Sequence, residues 1–590
     1  MHKRLSRTFV LPVTTVLVAG LGVIGSGQSA VAANGSPQPV DPARSSSAHA
    51  LAQSAVPDHR RSPGLKWVLS QKDADRSREV PALSARCQAL LGKPNPYRAI
   101  APNVDQIHQD GVVQAGTQEG CRTAQNENTI AVNPENPKNL VAGTNDYRVF
   151  NSREQRNDGS GYAYTTFDGG KTWKNIQLPH LTYQTGGKGV FSFMDSAGDP
   201  AIAFGPHNTV YYANIVFSRG APTGSGTEAG NAISLNVSHD GGLHWDEPTI
   251  VRKDGVMAEG TPTATHIFND KVWLAADPRN GRVYVTWTRF LDSANGGYVE
   301  SPIVVASSTD YGRTFAPYQR VDAKRAGFAG GLTPYSQGSN PEVGSDGTLY
   351  IAYEGEQCPT LSCSTYRDVT VVATSTDHGR TFTKKIVGTN YDFPYNQALG
   401  TATLTGENFR VNSFPQLAYD KKTNLLAITW SDDRNGRYDN STGESLKTNG
   451  DNIVSVSSDG KTWSRLKAIG TPEDEVFGAV AVLNGVAAVS SYTRHYARTG
   501  YYLDYAYWSS TDISGKGSPI HRVTTQSSNP RIQFVGLDDE GNPVQGLFIG
   551  DYTAVALGSD GRLHSCWTDF RGKPGVSTPN QESYTESIHL

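Results

Sequence analysis

Five times along the chain a short signature returns at an interval of roughly 70 residues, and a period of that length leaves few architectures open. The signature is Ser/Thr-x-Asp-x-Gly-x-Thr-Trp/Phe. It appears at Thr166, Asp168, Gly170, Thr172 and Trp173, then at Ser238, Asp240, Gly242, His244 and Trp245. Further copies run from Ser308 through Asp310 to Phe315 and from Ser375 through Asp377 to Phe382. A fifth, with Asp459, Gly460 and Trp463, is one residue short, and Ser510-Thr511-Asp512 reads as a decayed sixth. The pattern has a physical logic. Asp accepts backbone N–H bonds inside a tight turn, Gly takes the left-handed position, and the aromatic residue starts the next strand beneath the turn. These aspartates therefore read as hairpin locks, not as catalytic groups.

A second pattern sets the number of units. An apolar strand, a turn and another apolar strand recur around Asn133-Pro134, Gly205-Pro206, Asp277-Pro278, Asp346-Gly347, Asp420-Lys421, Asn484-Gly485 and Asp560-Gly561. Each unit then holds two such strands and the signature hairpin, the four-stranded content of one propeller blade. The expected fold is all-β: a β-propeller of seven four-stranded blades, with six as the competing count. The last unit runs out after Leu563–Trp567 and Tyr584–His589, so a strand from the N-terminal side is expected to close the ring, with Gly111–Gln114 the best match.

The flanking sequence gives the expected domain plan. A basic start, an apolar run from Phe9 to Ile24 and the small residues Ala30-Val31-Ala32 read as a signal peptide over residues 1–32. Residues 33–65 are rich in Ser, Ala, Pro and Gln and read as a disordered leader. Residues 66–120 read as an extension supplying the closing strand, and 121–590 as the propeller. The chain is thus expected to be secreted, extracellular and monomeric, without a membrane span. With 53 basic against 56 acidic residues it lacks the basic excess of a nucleic-acid binder. In an oxidising compartment Cys358 and Cys363 can close a short loop, and Cys87 with Cys121 can pin the N-terminal segment. Cys566, inside an apolar strand, reads as a buried free thiol. The 14 histidines do not cluster at metal spacing, so no metal or other cofactor is expected. Calcium around Asp432 and Asp433 is the one ion left open.

Topology points to one rim. The first strand of each unit starts, and the second ends, at the same edge of an antiparallel pair. The starts carry Glu127, Asp199, Asp270 and Asp551, and the ends carry Arg148, Arg289, Arg434 and Arg571. Paired carboxylates suit glycoside cleavage, one as acid and one as nucleophile or base. Arg suits a bidentate grip on a carboxylate. The four acids are therefore the expected catalytic set and the four arginines the expected substrate grips, with Glu342 and Glu354 next in line. The competing reading is that these charges pair with one another and hold the ring.

The signature copies resemble the Asp box of bacterial neuraminidase repeats in the sialidase superfamily, over most of the chain after about residue 120. The resemblance implies a sialidase-like propeller and a glycan or glycoconjugate ligand. In that family three arginines hold the substrate carboxylate, a Tyr–Glu pair is the nucleophile and an Asp the acid/base. The family's early Arg-Ile-Pro is missing here, Arg531-Ile532-Gln533 comes too late to replace it, and sialidases are typically six-bladed. The resemblance thus implies a glycoside hydrolase on an acidic glycan, or a non-catalytic propeller binding a glycan or protein.

Overall fold

The computed structural model describes residues 103–106, 124–153, 156–218, 230–255, 266–293, 298–322, 331–358, 366–396, 401–441, 444–497, 501–513, 519–530, 535–537, 543–545, 548–571 and 581–590. All lie in the compact unit Pro39–Leu590. They form seven four-stranded antiparallel sheets, one of which carries a short extra strand. The innermost strands are Gln125–Asn133, Ser196–Phe204, Ile267–Ala276, Leu332–Val343, Gln416–Asp420, Glu475–Leu483 and Ala554–Leu557, in blades I to VII. Each touches the next, and the seventh touches the first, so the ring is closed. Among the described residues there is no α-helix, and no helix is long and apolar enough to cross a membrane.

Ring closure uses both ends of the sheet-forming chain. Blade VII takes Ala554–Leu557, Arg562–Asp569 and Glu582–His589, and its outermost strand is Val104–Asp105. Val104 pairs with Thr585 and Asp105 with Tyr584. Gly111–Gln114 lies outside the described residues. So do residues 1–102, Cys87, Cys121, Cys363 and Arg531-Ile532-Gln533. Cys358 is disulfide-bonded, and Cys566 is a buried free thiol.

The four full Asp boxes sit in equivalent turns between the third and fourth strands of blades I to IV. In blade I, Asp168 Oδ1 accepts the N–H groups of Lys171 and Thr172 at 2.9 and 3.0 Å, and Oδ2 accepts the Thr172 hydroxyl at 2.6 Å. Asp240, Asp310 and Asp377 repeat the arrangement. The glycine does more than turn the chain. A side chain on Gly242 would strike Val141 and Thr165 of blade I, and one on Gly312 would strike Leu235 of blade II. Thr165 also donates to the Gly242 carbonyl at 2.8 Å. Each box therefore closes its own hairpin and seats it on the preceding blade.

Trp173 lies under the first box, 3% exposed, and donates to the Gly170 carbonyl at 3.1 Å. Trp245 makes the same bond at 3.2 Å but is only partly buried. Trp173→Ala is therefore expected to cost about 3–5 kcal/mol, as truncation of a buried aromatic does, and Trp245→Ala distinctly less. Denaturant unfolding of both variants checks the order. Equal losses would show that the rings are equivalent supports.

Candidate functional site

Five of the seven inner strands share one irregularity, and it builds the centre of the molecule. Ladder register shifts between Asn126 and Thr129, Gly198 and Ala201, Asp270 and Trp273, Gln337 and Asn340, and Val476 and Ala479. Such bulges re-aim a side chain out of the pleat. At each one a residue has positive φ: Glu127 at 58°, Asp199 at 50°, Lys271 at 53°, Gly338 at 61° and Phe477 at 57°. Gly550, at 100°, immediately precedes Asp551. A side-chain-bearing residue in this region costs about 1–2 kcal/mol. Three charged residues hold it here, and strain of this kind concentrates at functional sites.

These residues converge. The Lys271 ammonium lies 3.1 Å from Glu127 and 3.6 Å from Asp199, and it is in closest contact with Asp551. Arg410 meets both oxygens of Asp551 with one edge of its guanidinium, Nε to Oδ1 at 2.7 Å, and stacks over Phe548. Backbone donors complete the network. Asp551 N–H donates to Glu127 at 3.2 Å, and Lys271 N–H donates to Asp199 at 3.0 Å. Asn145 ties Glu127 to the neighbouring bulge, donating to its carboxylate at 2.9 Å while accepting the Asp199 N–H at 2.7 Å. Asp199 and Asp270 bring two further carboxyls beside Glu127 and Lys271.

The cluster sets four buried carboxyls against two buried cations. Burial, followed by the charge of Asp199, pushes Glu127 well above the usual carboxylate range. Burial raises Asp199 to about 6 despite the nearby Lys271. Asp270 is also raised, burial again leading. Lys271 is held charged by Asp199, Asp551 and Glu127 against its own desolvation.

All four acids expected from the sequence thus meet in one place, but the arginines do not join them. Arg148 pairs with Asp146, at 2.6 Å, and lies over Tyr162. Arg434 pairs with Asp432 at 2.7 Å and Arg571 with Asp569 at 2.8 Å. Arg289 reaches Asp254 of the preceding blade at 3.2 Å. Asp433 takes the Asn449 N–H at 2.7 Å and the Tyr438 hydroxyl. Glu342 lies on the inner strand of blade IV and Glu354 on the second. The sequence reading passed over Lys271, the hub of the network, and Arg410.

A pocket of about 500 Å³, its open mouth included, adjoins the cluster. Of the four acids only Asp551 lines it, and of the two cations only Lys271. Its walls include Trp273 and Tyr552, packed edge to face at 5.1 Å, together with Phe414 and Phe477.

No family model matches the chain, and no curated protein matches it. Some solved structures are similar to it at low identity. A Hadza microbial sialidase, Hz136, is 13% identical, with 76% of each chain covered and a TM-score of 0.38. The Ruminococcus gnavus intramolecular trans-sialidase in complex with oseltamivir carboxylate is also 13% identical, covering 68% of this chain and 95% of that one, with a TM-score of 0.37. An ulvan lyase of polysaccharide lyase family PL25 is 12% identical, covering 78% and 95%, with a TM-score of 0.40. At such identities these likenesses say nothing about chemistry.

The buried acids give the fold a distinctive pH dependence. Besides Asp199, burial raises Asp322 to about 7, Asp451 to about 6, Glu475 to about 8 and Glu586 to about 7. A carboxyl with a raised folded-state value stabilises fully below its unfolded value of about 4 and loses that contribution as pH rises through the folded value. These groups therefore weaken the fold between about pH 4 and 8. The Asp boxes run the other way. Hydrogen bonds outweigh slight desolvation and bring Asp240 and Asp310 down to about 2. Their contribution is present above about pH 4 and lost as pH falls toward 2. His564, pushed down to about 4 by burial, opposes the trend in the upper window. The melting temperature is expected to peak near pH 4–5 and to fall on both sides. A peak at pH 7 or above in thermal melts would contradict this balance.

Proposed function

We propose that the chain is a secreted, carbohydrate-active propeller that cleaves a glycosidic bond at the centre of its ring. One observation carries the reading. Four carboxyls converge from separate blades, two of them on strained backbone, beside a pocket that Asp551 and Lys271 line. Three of them, Glu127, Asp199 and Asp551, face one ammonium at contact distance. A shared ammonium thus gathers three carboxyls, and glycoside cleavage uses a pair of them. Asp551 lines the pocket and is held by Lys271 and Arg410, which suits a nucleophile or base. Burial and the nearby Asp199 raise Glu127 above the usual carboxylate range, which suits the acid. The signal-like N terminus and the disulfide-bonded Cys358 support secretion.

The test is a glycan panel assayed for reducing-end release, with Asp551→Asn and Glu127→Gln as variants. Both are expected to fold and to lose turnover by ~10²–10⁴-fold. Full turnover in both would place the chemistry elsewhere. A second reading, a glycan-binding propeller without catalysis, draws on the burial of all four acids behind their own partners. It is distinguished by binding without turnover and by affinity that survives both amide substitutions.

A further inference from the structure

We propose that the pocket beside the charge hub takes an uncharged sugar unit. The inference rests on the carbohydrate reading above and names its substrate class. The cations around the site are already engaged. An ammonium has three protons to donate, and Lys271 faces three carboxylates, those of Glu127, Asp199 and Asp551. Arg410 gives its Nε–Nη2 edge to Asp551 and does not line the pocket. The rim arginines Arg148, Arg289, Arg434 and Arg571 are each paired with an aspartate. A substrate anion would have to break a buried ion pair to gain a partner, and breaking such a pair leaves an uncompensated charge.

What the pocket offers is neutral. Trp273, Tyr552, Phe414 and Phe477 supply aromatic surface for the apolar face of a sugar ring. Asn340 accepts the Leu417 N–H at 2.7 Å through its carbonyl, and Gln416 donates to the Thr553 carbonyl at 2.9 Å through its amide nitrogen. Among the described residues nothing bonds the other end of either amide. One donor and one acceptor therefore remain at the wall for sugar hydroxyls. An aromatic face with uncharged amide heads recognises a hydroxylated ring without a formal charge.

The test titrates the whole protein with three sets of probes by calorimetry and tryptophan fluorescence. The neutral set is the methyl glycosides of glucose, galactose and mannose. The acidic set is methyl glucuronide and N-acetylneuraminic acid, and the amino probe is glucosamine. At least one neutral glycoside is expected to bind, with an affinity that changes less than about twofold between low salt and about 0.5 M salt. Gln416→Ala, at a partly exposed position that leaves the charge hub intact, is expected to weaken it about tenfold, the loss of one hydrogen bond to a ligand. Trp273→Phe is expected to remove most of the fluorescence response. Tighter binding of an acidic sugar, weakening as salt rises, or of glucosamine, would overturn this inference and leave the carbohydrate reading standing. Binding by no probe in any set would overturn the carbohydrate reading, and this inference with it.

Discussion

Lys271→Met is expected to cost about 3–5 kcal/mol at pH 8 and clearly less at pH 4. Removing one member of a buried ionic group is among the most damaging single changes, because the partners remain buried and unpaired. Here the partners are three carboxylates from three different blades, Glu127, Asp199 and Asp551, and only Arg410 would remain to balance them. Protonation relieves the damage. Glu127 and Asp199 already favour their neutral forms through burial, so acid removes much of the unbalanced charge. Denaturant unfolding at the two pH values checks the expectation. A loss that is the same at both would show that Lys271 acts by packing, not by charge. The double variant Lys271→Met with Asp199→Asn is expected to recover part of the loss at pH 8, as coupled neighbours do.

That hub was nearly legible in the sequence. Glu127, Asp199 and Lys271 follow one another at the blade period, the backbone of Lys271 bonding Asp199 across a separation of 72 residues. Alternation along a strand gave no reason to prefer Lys271 over Asp270. The bulge between Asp270 and Trp273 decides it by turning one residue onto left-handed backbone, and a bulge leaves no period in the sequence. Arg410 was harder still. It precedes the inner strand of blade V and meets Asp551 across 141 residues, so neither repeat nor local pattern connects the two.

The arginines show the opposite case. Asp146 and Arg148, Asp432 and Arg434, and Asp569 and Arg571 are two residues apart at the ends of strands. At that spacing the Arg backbone N–H and guanidinium both reach the Asp carboxylate, so the two satisfy each other. The spacing was visible, and it speaks for pairing more directly than the shared rim speaks for a ligand grip. The Asp boxes were legible as turns because every partner of the aspartate lies within four residues. Their seating on the preceding blade was not, because Gly242 meets Val141 only once the ring is closed.

Closure itself hangs on a very short strand, and the double variant Asn103→Ala with Gln106→Ala is expected to destabilise the fold by on the order of 5 kcal/mol. Val104 and Asp105 contribute only two ladder positions to blade VII, too few to hold an edge alone. The flanking side chains supply the rest, and both are fully buried. Asn103 donates to the Val523 carbonyl at 2.9 Å and accepts the Thr525 N–H at 2.8 Å, joining blade VII to the chain leaving blade VI. It also accepts from Arg571 at 3.1 Å. Gln106 accepts the Ser583 hydroxyl at 2.6 Å, and its backbone carbonyl accepts from Asn175 of blade I at 2.7 Å. Removing the two side chains strips partners from several buried groups at once, each orphan costing ~1–3 kcal/mol. The backbone ladder of Val104 and Asp105 is untouched by the change, so the loss isolates the side-chain clasp. Hydrogen exchange gives the sharper readout. Glu582–His589 should lose protection first, because its outer neighbour is the strand released, while the inner strands of blades II to IV stay protected. Uniform loss of protection around the ring would show instead that the blades unfold as one unit and that no seam exists at blade VII.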